Sequence, residues 1–348
     1  MLKTRPMAIV TAPGKVEILE RSLPEPGPTE VQLRVRAVTL CGGDMHIFAG
    51  KHPSVSLPVP IGHEIAGDVV ALGEKVTRLQ IGDRVAVEPV IACGECYFCQ
   101  RGQYHFCTSI SFQYRRGQGG VTTDFVVDER WAHRIPAAAS YTEGALLEPL
   151  AVAVHAVQKA DLSLGQSVAI FGAGAIGLLV LQLAQQAGAG QTLITDVRPA
   201  RLEMARQLGA NAALNSLDGD VLAEIAALTD GLGVDRAFEA VGLPVTLVQA
   251  LKALRKGGRA VLVGLFEQDE LTIPANIFVH REIELSGSQG YCWDFQTAIQ
   301  FLELGRVDLQ RLVTHVYPMD QVQAAFDTLA DRQSGAVKVV IQISDNSS

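Results

Sequence analysis

Long apolar runs and extended basic clusters are both missing from this chain of 348 residues. Residues 1–10 contain no apolar run of the ~7–15 residues that a secretory signal peptide needs. The longest apolar stretch, residues 168–181, falls short of the ~20 residues of a membrane span and is broken by glycines. No internal repeat or low-complexity segment is present. We therefore expect a cytoplasmic protein that does not bind membranes.

The charge balance is acidic, with a formal net charge of −8. An acidic chain is a poor partner for nucleic acid, so a cysteine-rich zinc module that binds nucleic acid is disfavoured. The most obvious basic pair is Arg115-Arg116. These arginines either meet an acidic or phosphorylated group or are solvated loop charges, as short charge runs usually are.

Six cysteines are present, and four of them read C-x2-C-x2-C-x7-C. An even count would permit disulfides in an oxidising compartment. Cys93, Cys96 and Cys99 are too close together for separate bridges, so thiolate ligation in a reducing compartment fits better. With Cys107 they can close a tetrahedron around zinc and leave no open position, which predicts a structural zinc site.

The chain divides by its hydrophobic rhythm into about two domains, given the usual ~100–200 residues per domain. The first part has short strands and frequent turns, including alternation over residues 31–38 and strands at 65–70 and 84–87, which predicts a small barrel or sandwich. Residues 142–159 have helical spacing, with a kink expected at Pro149. Six strands with helical crossovers follow, which predicts an α/β fold with a doubly wound parallel sheet.

A helix at 321–329 and a strand at 337–343 are not needed for that sheet. We infer that they return to the first domain and make it discontinuous. The predicted bounds are 1–154, completed by 293–348, for the first domain and 155–292 for the second.

A glycine fingerprint, Gly172-Ala173-Gly174-Ala175-Ile176-Gly177, follows a predicted strand and opens a predicted helix. Gly172 permits the turn, Gly174 lets backbone approach a pyrophosphate, and Gly177 allows close packing of helix on strand. Asp196 ends the next strand, where a carboxylate binds an adenosine ribose and repels a 2′-phosphate, so NAD is favoured over NADP. The plainer interpretation is ordinary turn glycines and a helix-capping aspartate.

Cys41, His63, Glu64 and Glu148 lie far apart in sequence and offer the mixed donors of an open, reactive metal centre. Each taken singly has a simpler interpretation. A cysteine is often a core residue, a histidine is often satisfied by neighbours, and a glutamate often ends a strand or begins a helix. The residues alone leave both interpretations open.

The order of motifs resembles the zinc-dependent medium-chain dehydrogenases over essentially the whole chain. The order is Cys41-Gly42-Gly43-Asp44-Met45-His46, Gly62-His63-Glu64, the four-cysteine loop, Glu148-Pro149-Leu150 and the glycine fingerprint. Glutamate at position 148 resembles the sorbitol (polyol) and threonine dehydrogenase branch, whereas animal alcohol dehydrogenases have cysteine there. The resemblance implies a chaperonin-10-like, partly open barrel as catalytic domain, packed against a six-stranded Rossmann cofactor domain.

The resemblance also implies roles for individual residues. Cys41, His63 and Glu64 would hold a catalytic zinc, and Glu148 would bind it directly or through water. Asp44 would orient His63, as a partner behind a metal ligand does. Beyond the glycines, cofactor contacts are implied for Ile176, Asp196, Arg201, Val263, Gly264 and Leu265. The implied cofactors are two zinc ions per chain and NAD.

The implied reaction is hydride transfer from a substrate CH–OH carbon to nicotinamide, made easier by a metal that acidifies the hydroxyl. In the family a serine or threonine hydroxyl passes the proton onward, but this chain has Gly43 at that position. We hypothesise that an ordered water replaces it. His46 would then deliver the proton to solvent, or else is a surface or packing histidine.

The substrate is expected to be a secondary alcohol, in particular a polyol. Gly290-Tyr291-Cys292 stands where polyol dehydrogenases carry Arg-Tyr-Cys, so Tyr291 would still donate to a substrate hydroxyl but sorbitol itself fits less well. An L-threonine type of amino-alcohol dehydrogenase is the alternative enzyme. A non-catalytic NAD-binding or structural protein is the alternative from another class. By analogy with the family we expect a homo-oligomer, a tetramer or a dimer.

Overall fold

A computed structural model describes residues 3–52, 55–268 and 270–344, without the side chain of Arg115. Its strands are β1 Thr4–Ala12, β2 Lys15–Ser22, β3 Glu30–Thr39, β4 Val59–Pro60, β5 Glu64–Leu72, β6 Arg84–Val87, β7 Val90–Ile91, β8 Ser111–Phe112, β9 Asp124–Asp128, β10 Ala132–Arg134, β11 Ser167–Phe171, β12 Gln191–Asp196, β13 Ala212–Asn215, β14 Val234–Glu239, β15 Leu254–Leu262, β16 Glu284–Gly287, β17 Val313–Pro318 and β18 Lys338–Gln342. Its α-helices are α1 Gly42–Phe48, α2 Tyr141–Ala145, α3 Leu147–Ala160, α4 Ala175–Gln186, α5 Pro199–Gln207, α6 Val221–Leu228, α7 Pro244–Ala253, α8 Asn276–Arg281, α9 Asp294–Glu303 and α10 Val322–Ala330.

Two compact units divide the chain. The first comprises Met1–Glu148, Ile299–Leu304 and Leu312–Ser348, and the second comprises Pro149–Ala298 and Gly305–Arg311. The first unit is discontinuous in sequence because the chain returns to it through β17, α10 and β18. Two boundaries between the units fall inside helices, one within α3 and one within α9. The domain bounds of 1–154 with 293–348 and 155–292 therefore stay a prediction.

The sheets of the first unit are antiparallel except for one parallel pair, β17 with β18. Its largest sheet has the order β10-β6-β5-β3-β18-β17, with β9 also paired to β3, and a smaller sheet has the order β2-β1-β4. The alternating residues of β3 bury Val31, Leu33 and Val35 completely, as its sequence pattern predicts. Two irregularities in the pairing of β3 with β5 bend the sheet, as β-bulges do. The expected β-rich, barrel-like domain is confirmed.

The second unit contains a six-stranded sheet in the order β13-β12-β11-β14-β15-β16, in which all strands are parallel. Its central strand β11 is buried along Val168–Phe171, as a strand covered on both faces must be. The strand order reverses between β11 and β14, and ligands bind doubly wound sheets at that point, beyond the carboxyl ends of the strands. The predicted doubly wound parallel sheet is confirmed.

The kink expected at Pro149 takes the form of a break in the helix three residues earlier. The helical segment is interrupted at Leu146, between α2 and α3, and Pro149 is the third residue of α3. Backbone N–H groups in the first turn of a helix have no partner within the helix, so a proline there sacrifices no hydrogen bond. Within the described ranges, none of the helices combines the length and apolarity needed to cross a membrane.

Candidate active site

Neighbouring strands bring Cys41 and His63 together. Strand β3 ends at Thr39, just before Cys41, and β5 begins at Glu64, just after His63. Thr39 and Glu64 are paired across the ladder, so the residues beyond each of them meet at the same edge of the sheet. Cys41 is also the N-cap of α1, where its Sγ accepts from the N–H of Gly43 at 3.3 Å.

Cys41, His63 and Glu64 form one cluster whose candidate ligand atoms all lie within 4.8 Å of one another. Sulfur, nitrogen and oxygen donors in this number suit a zinc site that keeps a position open for substrate. The separation of the donors therefore fits a zinc ion, which would be held by Cys41 and His63 together with Glu64.

Asp44 lies directly behind His63. Its Oδ1 is 3.3 Å from His63 Nδ1, and its other oxygen accepts from the backbone N–H of Cys41 at 2.9 Å. Burial disfavours charge on the imidazole, but the Asp44 carboxylate raises the pKa of His63 well above 6.5. Burial likewise opposes charge on Asp44, yet His63 lowers the pKa of that carboxyl. Asp44 thus fixes the ring so that Nε2 is the nitrogen left to bind a metal.

Glu64 is completely buried and has two partners that the sequence did not point to. Lys338 Nζ donates to both of its carboxylate oxygens, at 2.5 Å for Oε1, and Thr39 Oγ1 donates to Oε2. Lys338 also donates to the carbonyl of Leu40 at 3.2 Å. A carboxylate offers about four acceptor positions, so these bonds leave room for a metal. The sequence feature that could have pointed to this pair is a lysine inside the otherwise apolar run of residues 336–341.

Glu148 lies in the first turn of α3 and is 8% exposed. It is not a member of the three-residue cluster. Burial lowers the pKa of Lys338, but the attraction of Glu64, Cys41 and Glu148 outweighs burial and raises that pKa. Glu148 is therefore close enough to attract Lys338, the cation that pairs with Glu64. Its role as a direct or water-mediated ligand stays a prediction.

A cavity of about 180 Å³ opens beside these residues in the first unit. Phe112 and Tyr114 form an aromatic wall, with ring centroids 5.7 Å apart and planes inclined by 5°. The remaining described lining residues are Cys41, Gly43, Asp44, Ile47, His52, Pro60, Ile61, Gly62 and His63. His46, the predicted proton-relay residue, is not among them, whereas His52, which the sequence analysis did not single out, is. The relay role of His46 stays a prediction.

The four-cysteine loop forms a second cluster, in which Cys93, Cys96, Cys99 and Cys107 have all sulfur atoms within 4.8 Å of one another. Backbone N–H groups point at these sulfurs, for example from Ser109 to Cys107 at 3.4 Å. Such donors lower the pKa of Cys96 to about 5, whereas burial raises the pKa of Cys99 to about 12. A bound cation would stabilise all four as thiolates, so the donor set fits a structural zinc ion.

The glycine fingerprint turns from β11 into α4 in the second unit, and the three glycines differ in what they allow. A Cβ on Gly177 would lie 1.8 Å from the carbonyl oxygen of Gly172. Gly172 itself has φ +106°, and a Cβ there would lie 2.6 Å from Val241. Around Gly174 the protein leaves space, since a Cβ would meet only Arg201 Nη1 at 3.6 Å. This open approach beside the helix N-terminus fits a pyrophosphate.

Asp196 is the last residue of β12, and its carboxylate accepts from the backbone N–H groups of Ala173, Val197 and Arg198 at 2.8–2.9 Å. Arg201 Nη1 lies 4.0 Å from Asp196 Oδ2. Burial, and next the charge of Arg198, lower the pKa of Arg201. The structure thus gathers the predicted ribose-binding aspartate, the predicted Arg201 and a second arginine at the end of this strand.

The other predicted cofactor residues follow β15 and begin α4. The N–H groups of Val263 and Gly264 donate to the carbonyl of Glu239, which ends β14, while Leu265 is 48% exposed. Ile176 lies in the first turn of α4, between the glycines. The turn after β15 is therefore at the same end of the sheet as the fingerprint, where a cofactor would lie.

Tyr291 and the arginine pair Arg115-Arg116 are the remaining candidates from the sequence. Tyr291 belongs to the second unit and packs edge-on against Phe295, with ring centroids 6.0 Å apart. Its role toward a substrate stays a prediction. Arg116 Nη1 lies 3.7 Å from Glu30 Oε1, and the side chain of Arg115 lies outside the described part of the structure.

Family models match both parts of the chain. Residues 27–137 match a model described as an alcohol dehydrogenase GroES-like domain, and residues 175–304 match one described as a zinc-binding dehydrogenase. The first match covers most of the β-rich first unit and includes Cys41, His63, Glu64 and the four-cysteine loop. The second begins at the glycine fingerprint.

Characterised relatives match over nearly their full length. The sorbitol dehydrogenase of Bacillus subtilis is 34% identical over 96% of each chain. The D-arabitol-phosphate dehydrogenase of Enterococcus avium is 33% identical over 98% of each chain. The L-threonine 3-dehydrogenase of Pyrococcus horikoshii is 34% identical, covering 95% of this chain and 97% of its own.

Solved structures superpose closely. An Escherichia coli oxidoreductase of unknown specificity, ECK1772, has a TM-score of 0.93 at 34% identity, covering 99% of this chain and 100% of its own. A zinc-binding dehydrogenase of Sinorhizobium meliloti, bound to NADP, has a TM-score of 0.91 at 29% identity, covering 98% and 99%. With both domains matched and the relatives aligned end to end, this chain belongs to the zinc-type medium-chain dehydrogenases, and it is an oxidoreductase that acts on CH–OH groups with a nicotinamide cofactor.

Proposed function

We propose that this enzyme oxidises a secondary alcohol of the polyol class to a ketone, with NAD as the hydride acceptor. The observation that carries the proposal is the Cys41–His63–Glu64 cluster beside a cavity that Phe112 and Tyr114 wall on one side. The relatives that act on polyols support the same substrate class.

The residues of the first unit have distinct tasks in this proposal. Cys41, His63 and Glu64 hold a zinc ion, with Glu148 near enough to act directly or through a water molecule. When bound, that zinc supplies Lewis acidity, which lowers the pKa of a hydroxyl placed beside it. Asp44 keeps His63 oriented, and the aromatic wall excludes water from the reacting carbon. The four cysteines hold the second, structural zinc, which makes two zinc ions per chain.

The second unit binds the cofactor. Gly174 and the N-terminus of α4 receive the pyrophosphate, and Asp196 accepts from the adenosine ribose, which favours NAD. Arg198 and Arg201 lie beside Asp196 and could pair with a 2′-phosphate, so we expect NAD to be preferred over NADP without NADP being excluded. We further propose, by analogy with the polyol dehydrogenase branch, that the protein is a cytoplasmic homo-oligomer, a tetramer or a dimer.

A second candidate is an amino-alcohol dehydrogenase of the L-threonine type. It is supported by the Pyrococcus horikoshii relative, whose identity of 34% equals that of the sorbitol dehydrogenase. Membership of the dehydrogenase family argues against the remaining alternative, a non-catalytic protein on the same scaffold.

The test is a substrate panel of polyols, aldonates and L-threonine, each assayed with NAD and with NADP by nicotinamide absorbance. Zinc analysis accompanies it, with two ions expected in the wild-type chain and one each in Cys41→Ser and Cys93→Ser. Turnover with a polyol, lost in Cys41→Ser, would support the proposal. L-threonine as the best substrate would favour the second candidate, and inactivity of the zinc-loaded enzyme on the whole panel would refute both.

A further inference from the structure

A second cavity in the first unit lies outside the zinc-binding residues. It has a volume of about 570 Å³, and three arginines line it: Arg5, Arg21 and Arg116. Glu30 is the one acidic residue among its described lining residues. Of the residues that line the zinc-side cavity, this second cavity shares only Pro60. It is therefore a separate site with a surplus of positive charge.

Arg5 is 1% exposed, and the groups that accept its hydrogen bonds are uncharged. One terminal nitrogen donates to the carbonyl of Asp124, and the other donates to Gln118 Oε1 at 3.1 Å. Its Nε is buried and has no hydrogen-bond partner among the described residues. Burial lowers the pKa of Arg5 to about 10, against the attraction of Asp124, so the side chain is still a cation at neutral pH.

The nearby carboxylate of Asp124 is already engaged. Its Oδ1 accepts from Gln32 at 2.9 Å and lies 3.4 Å from Arg34 Nε. Arg5 is thus a buried charge whose hydrogen bonds go to a carbonyl and an amide. Buried charges are costly unless an opposite charge pairs with them. Asp124 attracts Arg5 but shares its carboxylate with other partners, so the charge of Arg5 is only partly compensated.

Arg21 adds to this imbalance. It is paired directly with Arg5 across the β1–β2 ladder. Residues that are opposite each other in an antiparallel pair project on the same face of the sheet, where like charges repel. Arg116 is partly neutralised, because its Nη1 lies 3.7 Å from Glu30 Oε1. The surplus positive charge of the cavity therefore comes mainly from Arg21, with a further contribution from Arg5.

We propose that this cavity binds a small organic anion, whose phosphate or carboxylate group is held by Arg21 and attracted by the buried charge of Arg5. Ile9, Pro24 and Pro60 provide an apolar surface for the carbon skeleton of such a ligand. A bound anion would pair with exposed Arg21 and would offset the buried positive charge of Arg5 behind it. The proposal does not depend on which alcohol the enzyme oxidises.

The test measures anion binding by calorimetry and by the rise in melting temperature, on zinc-loaded protein with saturating NAD so that the dinucleotide site is filled. The probes are inorganic phosphate, glucose 6-phosphate and succinate, each compared with chloride at equal ionic strength. Tighter binding of phosphate would indicate a phosphate group on the ligand, and tighter binding of succinate would indicate a carboxylate. Tighter binding of glucose 6-phosphate than of inorganic phosphate identifies a contribution from the carbon skeleton.

Arg21→Gln is the main variant, because Arg21 is exposed and its loss spares the core. We expect it to weaken binding by about tenfold or more, as loss of a charge-assisted hydrogen bond does. Arg116→Gln is expected to have a smaller effect, about threefold or less, because Arg116 already pairs with Glu30. Arg332→Gln, an exposed arginine of the same unit, is the matched control and should bind as the wild type does. Equal binding by the wild type and Arg21→Gln, or a response to chloride equal to that to phosphate and succinate, would overturn the proposal.

Discussion

Lys338 of β18 reaches across β3 to Glu64 of β5, and its Nζ lies 2.5 Å from Glu64 Oε1. Both side chains are almost completely enclosed, at 3% and 0% exposure. The pair therefore connects the C-terminal strand of the first unit to a candidate ligand of the catalytic zinc.

Replacement of Lys338 by methionine should destabilise the first unit strongly. Glu64 would be left as a buried charge without its cation, and breaking a buried pair on one side costs about 3–5 kcal/mol. Urea unfolding is the measurement, on zinc-loaded and on chelator-treated protein. Zinc should restore more stability to Lys338→Met than to the wild type, because a second cation then sits beside Glu64. Lys75→Met removes an exposed lysine of the same unit and is the control. Equal unfolding midpoints for the two variants would contradict the prediction.

Zinc binding at His63 should weaken as the pH falls. Although burial opposes it, Asp44 raises the pKa of His63 well above 6.5 in the zinc-free protein. A histidine must lose its proton to ligate a metal, so apparent affinity drops about tenfold for each pH unit below that pKa. Asp44→Asn lowers the pKa and should shift this dependence to lower pH. At high pH, where the proton no longer competes, the same variant should bind zinc about 10–100-fold more weakly.

Competition with a fluorescent zinc indicator, run from mildly acidic to mildly basic pH, gives both the zinc affinity at high pH and its dependence on pH. Asp320→Asn, an exposed aspartate of the first unit, serves as the reference. The interpretation fails if Asp44→Asn follows the wild-type pH curve.

Gly43→Ser should leave turnover unchanged or raise it. A Cβ at this position would meet only Cys41 Sγ, at 3.8 Å, so a serine fits without displacing a neighbour. Its hydroxyl would take the place of the water molecule that we expect to pass the proton on. The measurement is kcat as a function of pH, with Gly42→Ser as control, because a Cβ there meets nothing within 4 Å. A large loss of kcat in Gly43→Ser alone would argue against the water relay.

Two glycines of the fingerprint should respond differently to alanine. Gly177→Ala forces a Cβ to 1.8 Å from a carbonyl oxygen and should destabilise the second unit by about 1–3 kcal/mol or more. Gly174→Ala meets only the end of Arg201, so its folding cost should be about 1 kcal/mol or less. NADH binding should nevertheless weaken at least about tenfold in Gly174→Ala, because the space above Gly174 serves the pyrophosphate.

Fluorescence titration with NADH, together with urea unfolding, separates these effects. Wild-type NADH affinity in Gly174→Ala would show that the pyrophosphate does not approach the backbone there.

Much of the fold was predictable because local patterns specify it. The alternation of β3 and the apolar run of β11 follow directly from which faces each strand buries. The sequence placed the disruption of this helix at Pro149, whereas α2 ends at Ala145, the residue whose carbonyl the missing N–H of Pro149 would have paired with.

The candidate site was predictable where its residues come in motifs and not where they meet only through the fold. The four cysteines are neighbours in sequence, so their spacing alone indicates a metal site. Lys338 meets Glu64 only because β18 pairs with β3, a register that no local pattern reveals. Arg5 and Arg21 escaped notice for the same reason, since their opposition depends on the hairpin register.

The position of β18, inserted between β3 and β17, has a consequence for biosynthesis. Synthesis proceeds from the N-terminus, so Cys41 and His63 leave the ribosome long before the strand that must lie beside β3. The second unit, whose six strands all precede residue 288, has its complete sheet earlier. The largest sheet of the first unit therefore cannot be completed until β18 has been synthesised, and Glu64 stays without the cation of Lys338 until then.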